Sequence, residues 1–212
     1  MYNATESAVK SEIRHRLYDR VIDTWNERKE GKKDKSKKTI LTLCNTSFEI
    51  ENLLSGFGNV TCLEYDEKIF KEAQKVKPKH VTLLNKDLFE HEHTAPYDFI
   101  WVDLCSSYSE KVLQKVITLI KTIKFKENSI FAVTFTKQRG SINKSTLVEY
   151  FPKFKEKGVV QYIGNFFTNE VTEVIRYDYK NFDISTKSSQ MTLFIFKLGI
   201  IVTGKQIGRA HV

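Results

Sequence analysis

The stretch Tyr97-Asp98-Phe99-Ile100-Trp101-Val102-Asp103-Leu104-Cys105-Ser106-Ser107-Tyr108 decides how this chain reads. Residues 99–102 form a short apolar run of strand character, Asp103 stands just past its end, and small and aromatic residues follow. In an open α/β sheet, ligands and chemistry sit outside the carboxyl ends of the strands, so an Asp and a Tyr delivered there are placed to act. A similar unit comes earlier, Asn59-Val60-Thr61-Cys62-Leu63-Glu64-Tyr65-Asp66, where a β-rich run again ends on carboxylates. Two strand-then-acid units with helix-like sequence between them point to a nucleotide-type cofactor site.

Working outward, the chain alternates. Strand-like runs fall at 40–44, 60–64, 81–84, 99–102 and 130–135, and helix-like runs at 48–54, 67–76 and 110–123. Strands separated by helices of this length predict βαβ units, a parallel sheet and right-handed crossovers. After Gly140 the pattern changes: 147–157 reads as helix, and 159–167, 173–179 and 190–198 read as extended. Closely spaced extended runs at the end of an α/β chain predict an antiparallel addition to the sheet edge. The expected fold is therefore a Rossmann-like open sheet, mostly parallel with a C-terminal antiparallel strand pair, helices on both faces and an extra N-terminal helix.

That extra helix is read from about residue 7 to 28, because Val9, Ile13, Leu17, Val21, Ile22 and Trp25 share one stripe of helical period, with Arg14, Arg16 and Arg20 elsewhere on the wheel. The organisation expected is an N-terminal helix in 1–30, a Lys-rich linker in 31–38, one α/β domain in 39–198, and an artificial or disordered tail in 199–212. The linker is polar and without apolar anchors; the tail begins after a strand that already completes the sheet.

Charge narrows the partners. Thirty-four Lys and Arg against 26 Asp and Glu leave a formal +8 and a pI near 9.2, which favours an acidic partner, most simply DNA or RNA. Cys44, Cys62 and Cys105 form no Cys-x-x-Cys pair, so they read as reduced thiols rather than a zinc site, and His91-Glu92-His93 lacks a third ligand in view. No run reaches the ~18 apolar residues of a membrane span, and no signal-peptide segment is evident at the start of the sequence. The expectation is an intracellular protein, cytoplasmic or nuclear, with no metal and no membrane partner; the oligomeric state is left open. No Gly-x-x-x-x-Gly-Lys-Ser/Thr or Gly-x-Gly-x-x-Gly is present, which disfavours a nucleoside-diphosphate ligand.

The order of these pieces, over roughly residues 38–198, resembles the class I S-adenosylmethionine-dependent methyltransferase family, whose fold is five parallel βα units closed by an antiparallel hairpin. The family's first strand leads into a glycine-rich loop beside the methionine end of the cofactor. The matching stretch here is Ile40-Leu41-Thr42-Leu43-Cys44-Asn45-Thr46-Ser47-Phe48-Glu49, which holds no glycine. Cys44, Asn45 and Thr46 would take the loop's place, Asn45 tolerating a left-handed turn and Thr46 or Ser47 capping the next helix. The resemblance places Glu64 on the ribose hydroxyls, with Asp66 as second candidate and Tyr65 beside it. It places Asp87 on the adenine amino group, with Leu88 or Phe89 against the base; a helix N-cap is the other reading of Asp87.

At the fourth strand Asp98 matches the family's aromatic-Asp pair ahead of the strand, and Asp103 matches the residue that follows it near the transferred methyl. Nucleic-acid amino-methyltransferases carry an Asp/Asn/Ser-Pro-Pro-aromatic tetrad there. This chain keeps the acid and, slightly late, the aromatic Tyr108, without either proline. The resemblance thus makes Asp103 and Tyr108 the catalytic pair, one orienting an amine and one stacking it, with Asp103 also beside the cofactor. Cys105 stands where cytosine-C5 enzymes place a nucleophile but follows Leu104 rather than proline, and reads as a bystander. Lys137, Gln138 and Arg139 follow the fifth strand on the substrate side and are candidates for nucleic-acid contact. The expected function is an S-adenosylmethionine-dependent methyltransferase acting on nucleic acid; the alternative is a methyltransferase-like module that binds nucleic acid or protein without catalysis.

Overall fold

In the computed structural model, the described residues are 8–26, 36–44, 46–107, 110–136, 171–180 and 188–198. They form helices α1 (Ala8–Asn26), α2 (Glu49–Leu53), α3 (Glu67–Val76) and α4 (Glu110–Thr122) and strands β1 (Lys38–Leu43), β2 (Gly58–Leu63), β3 (Val81–Leu84), β4 (Tyr97–Ser107), β5 (Phe125–Thr136), β6 (Val171–Lys180) and β7 (Ser188–Lys197). The seven strands make one sheet in the order β3-β2-β1-β4-β5-β7-β6. The first five run parallel, and β7 is inserted antiparallel between β5 and β6. The Rossmann-like, mostly parallel expectation is met.

Central strands are apolar on both faces because both faces are covered. Leu41, Ile100, Val102, Phe131, Val133 and Phe135 pack with Leu113, Val116 and Ile120 of α4 on one side. Ile40, Phe99, Trp101, Ile130 and Ala132 pack with Ile13, Leu17, Val21 and Trp25 of α1, and with Ile50 and Ala73, on the other. Ile13, Leu17, Val21 and Trp25 of the stripe read from the sequence are buried. Arg14, placed elsewhere on the wheel, is buried as well, because its guanidinium meets Glu49 of α2 at 2.9 Å.

Local signals set the element ends. Asp66 caps α3, its Oδ1 accepting from the amides of Lys68 and Ile69 at 2.9 and 3.0 Å. Pro78 follows the C-cap Lys77, whose extended backbone is what a residue before proline adopts. Gly58 begins β2 in register with Lys38, and a Cβ there would collide with the Lys38 backbone. β1 begins at Lys38, which is buried although it is charged. Its Nζ lies 3.9 Å from Asp98, and that carboxylate also takes Lys126 at 2.6 Å and the Thr39 amide at 2.8 Å. Asp98 thus ties together the starts of β1, β4 and β5 at the amino edge of the sheet.

Several expected boundaries shift. β4 extends well beyond 99–102, so Asp98 and Asp103 lie inside the strand rather than before and after it: Asp103 is paired with Thr134, and pairing resumes at Ser107 opposite Thr136 after a bulge. β5 begins earlier than read, through an irregular turn where Asn128 has φ 53°, a conformation Asn tolerates. The runs read as extended at 173–179 and 190–198 are β6 and β7, which pair antiparallel. The runs expected at 147–157 and 159–167, and the tail at 199–212, lie outside the described residues.

Candidate functional site

The carboxyl edge of β1–β4 gathers the polar residues. β1 leads to Cys44, whose amide donates to the Leu63 carbonyl at 2.9 Å and so keeps the chain beside β2 as it leaves the sheet. Burial pushes the Cys44 thiol up to about 12, with the charges of Glu51 and Glu64 adding to the effect. Thr46 and Ser47 are exposed. Contrary to expectation, neither occupies the helix cap: the N-cap of α2 is Phe48, at φ 50° and ψ 32°, with no side-chain cap hydrogen bond. A left-handed non-glycine residue costs roughly 1–2 kcal/mol. Full burial of the Phe48 ring returns about 1.5–3 kcal/mol, enough to hold a conformation that glycine would adopt without strain.

Beneath this turn lies a residue the sequence reading missed. Glu51 is fully buried; its Oε1 accepts from the Thr42 hydroxyl at 2.7 Å and the Cys62 thiol at 3.6 Å, while Oε2 has no hydrogen-bond partner. Burial raises its pKa, with the Thr42 hydrogen bond opposing. Cys62 is likewise pushed up, first by burial and then by Glu51. Nothing in Glu49-Ile50-Glu51 marks the second carboxylate as the inward one; the docking of a short helix on β1 and β2 decides it.

At the end of β2, Glu64 continues the ladder through its amide to the Leu84 carbonyl at 3.0 Å, and its Oε1 accepts from the Asp66 amide at 2.8 Å. Its carboxyl is raised, chiefly by partial burial, with the Asp66 amide pulling the other way. Tyr65 is largely exposed beside it. Asn85, not singled out from the sequence, clamps this corner by donating from Nδ2 to the carbonyls of Glu64 and Tyr65 at 2.7 and 3.3 Å. Asp66, the second ribose candidate, is occupied as the α3 cap.

After β3, Asp87 caps a turn rather than a helix: Oδ1 accepts from the Phe89 amide at 2.8 Å, and its carbonyl accepts from Glu90 and His91. Leu88 is buried in the core below. His93 braces this turn. Its Nε2 lies 3.0 Å from the Leu88 carbonyl and its Nδ1 3.3 Å from the Tyr97 hydroxyl. A carbonyl only accepts, so Nε2 carries the proton and Nδ1 accepts from Tyr97. Burial lowers the pKa of His93, and the Leu88 carbonyl opposes that shift. Among the described residues no group of three or more His, Cys, Asp or Glu is placed to hold a metal ion, and no helix is long and apolar enough to cross a membrane.

Asp103 completes the edge. It shares the α1 face of the sheet with Trp101, two residues earlier. Its Oδ1 is closed to solvent and has no hydrogen-bond partner. Burial raises its pKa, while Arg14, Lys10 and the Thr134 hydroxyl favour the carboxylate. Two of those three come from α1, which the sequence reading left without a place relative to the site. α1 is held there by Glu49, which takes Ser11, Arg14 at 2.9 Å and His15 at 3.6 Å. The bulge that follows Asp103 in β4 is the kind of irregularity that re-aims a strand end.

The described residues therefore bring Cys44, Thr46, Glu64, Tyr65, Asp87, Leu88 and Asp103 to one edge. Asn45, Tyr108, Lys137, Gln138 and Arg139 lie outside them, as does the side chain of Cys105.

No protein-family model matches the sequence, and no curated protein matches it. Solved structures match the fold. The N-methyltransferase NodS from Bradyrhizobium japonicum WM9 superposes with a TM-score of 0.52 at 13% identity, over 89% of this chain and 98% of that one. The magnesium protoporphyrin IX methyltransferase ChlM from Synechocystis PCC 6803, solved with bound SAH, gives 0.56 at 12% identity over 87% and 82%. At such identities the likeness is one of fold.

Proposed function

We propose that this chain, which has the class I S-adenosylmethionine-dependent methyltransferase fold, is a methyltransferase that acts on nucleic acid. The observation that carries the reading is Asp103: a buried oxygen without a hydrogen-bond partner, inside β4 but level with the ends of β1 and β2, is an acceptor awaiting a donor.

The donor set fits the cofactor at its nucleoside end. Glu64 stands at the end of β2, where its carboxylate would take the ribose hydroxyls, and Asn85 holds the backbone beneath it. Asp87 and Leu88, on the turn braced by His93, would meet the adenine. Bound S-adenosylmethionine supplies an already activated methyl group, so what remains for the chain is to hold, orient and keep water away. Asp103 would orient the acceptor and Tyr108 would stack it. The nucleic-acid target rests on the formal charge of +8, which favours phosphate contact, with Lys137, Gln138 and Arg139 as candidates.

One observation favours the second reading, a non-catalytic module that binds nucleic acid or protein. The turn after β1 uses the buried, left-handed Phe48 instead of glycine, and a side chain there restricts the close backbone approach that a ligand needs.

Isothermal titration with S-adenosylmethionine and S-adenosylhomocysteine, on the parent chain and on Glu64→Ala, separates the two. Hydrogen bonds to a charged group contribute about 1.5–3 kcal/mol, so the variant should bind roughly 10- to 100-fold more weakly. Micromolar binding that weakens in this way supports the enzyme and justifies assaying methyl transfer to DNA, RNA and protein acceptors. No binding at millimolar ligand sinks it in favour of the module.

A further inference from the structure

Trp101 and Asp103 on β4 face the same side of the sheet, and the register sets Ala132 and Thr134 of β5 beside them. The Trp101 indole Nε1 lies 3.0 Å from the Thr134 Oγ1. An indole N–H only donates, so this bond has one direction: the hydroxyl accepts and keeps its own proton to give. Its neighbour in register across the two parallel strands is Asp103, so the Thr134 side chain stands beside the carboxyl on the same face of the sheet. Trp101 and Thr134 are both buried, so water does not compete for either group.

We propose that Trp101 and Thr134 are positioning residues for Asp103: the indole N–H occupies the Thr134 oxygen, the Thr134 hydroxyl steers the carboxyl, and Oδ1 stays available to accept a hydrogen bond from the N–H or O–H of the group to be methylated. Only the last clause rests on the methyltransferase reading. The substrate class follows from the chemistry of that oxygen. A nitrogen or oxygen acceptor that still bears its proton satisfies Oδ1, whereas an acceptor without such a proton leaves it unpartnered. Lys10 and Arg14 face the same carboxyl from α1.

The test uses the chain's two tryptophans and needs no cofactor. In nitrogen-15 spectra of the full chain, each indole N–H gives one signal, assigned with Trp25→Phe and Trp101→Phe. The Trp25 indole is buried without a hydrogen-bond partner and serves as the internal standard for an intact fold. The Trp101 signal should move with pH as Asp103 titrates, and Asp103→Asn should abolish that movement. Thr134→Val should shift the Trp101 signal and remove its pH response, and Thr134→Ser should restore both. If Thr134→Val fails to fold, Asp103→Asn and Thr134→Ser still decide. A Trp101 signal indifferent to pH and to Asp103→Asn in folded protein overturns the proposal.

Activity distinguishes its failure from that of the parent reading. Where methyl transfer is measured, Thr134→Val should lower kcat by about 10- to 100-fold with little change in KM, since misplacement of a reacting group acts on the transition state. Indole coupling without methyl transfer in the parent chain leaves the positioning pair standing and sinks the enzyme. Transfer without coupling sinks the pair.

Discussion

Replacing Asp98 by Ala should be among the most destabilising single changes in this chain. Its carboxylate is 2.6 Å from Lys126, 2.8 Å from the Thr39 amide and 3.9 Å from Lys38. The three partners respond differently. The Lys126 side chain, 34% exposed, recovers water and contributes little. The Thr39 amide loses its acceptor, which costs about 1–3 kcal/mol. The Lys38 side chain is 3% exposed, and stripping the carboxylate from a buried cation costs roughly 3–5 kcal/mol; the Ser36 hydroxyl at 3.5 Å and the Trp25 ring, 5.6 Å from its centroid, replace only part of that. The last two losses share one site and do not add fully. The expectation is therefore about 3–5 kcal/mol, or roughly 6–20 °C in Tm for a domain of this size. Urea unfolding followed by tryptophan fluorescence measures it. Lys38→Met in the Asp98→Ala background should recover about 1–2 kcal/mol, because it removes the stranded charge and leaves an apolar chain against Trp25. A single variant within about 1 kcal/mol of the parent, or a double variant no better than the single, would refute the reasoning.

Two further outcomes follow from buried titrating groups. Glu51 has its pKa raised by burial, so the folded chain retains a proton that the unfolded chain releases; stability falls as pH rises from the ordinary carboxylate range to the raised value. Glu51→Gln keeps an acceptor for Thr42 and removes the titration, so urea unfolding at pH 5 and pH 8 should show its advantage over the parent chain only at the higher pH. Equal effects at both would count against a protonated native Glu51. Cys44, held up to about 12, and the more deeply buried Cys62 should resist iodoacetamide at pH 8 in native protein and react on unfolding. Peptide mapping that finds either one rapidly alkylated in the folded chain contradicts the burial of these thiols.

Local pattern was enough for most of the architecture. β3 and α3 start and stop where apolar period, the Asp66 cap and Pro78 place them. The parallel sheet follows from strands spaced by helices, because a right-handed crossover is the short route between them. The positions of Glu64 and Asp87 on one edge follow in turn, since the residues just past the strands of a parallel sheet lie at the same end. These are properties of neighbours in sequence, and the sequence by itself determined them.

What only the tertiary structure decided involves partners far apart in the chain. Arg14 is buried because Glu49 lies 35 residues away to receive it, and no helical wheel contains that partner. Glu51 turns inward against Thr42 and Cys62 because α2 docks on β1 and β2. Phe48 takes a left-handed turn that local preference assigns to glycine or asparagine, because burying its ring against elements from both halves of the chain outweighs the strain. The direction of the Trp101–Thr134 bond, and with it the environment of Asp103, arises only once β4 and β5 align in register. Strand periodicity sets which face a side chain takes; the identity of its partner is a matter of long-range packing, where desolvation and hydrogen bonding are settled.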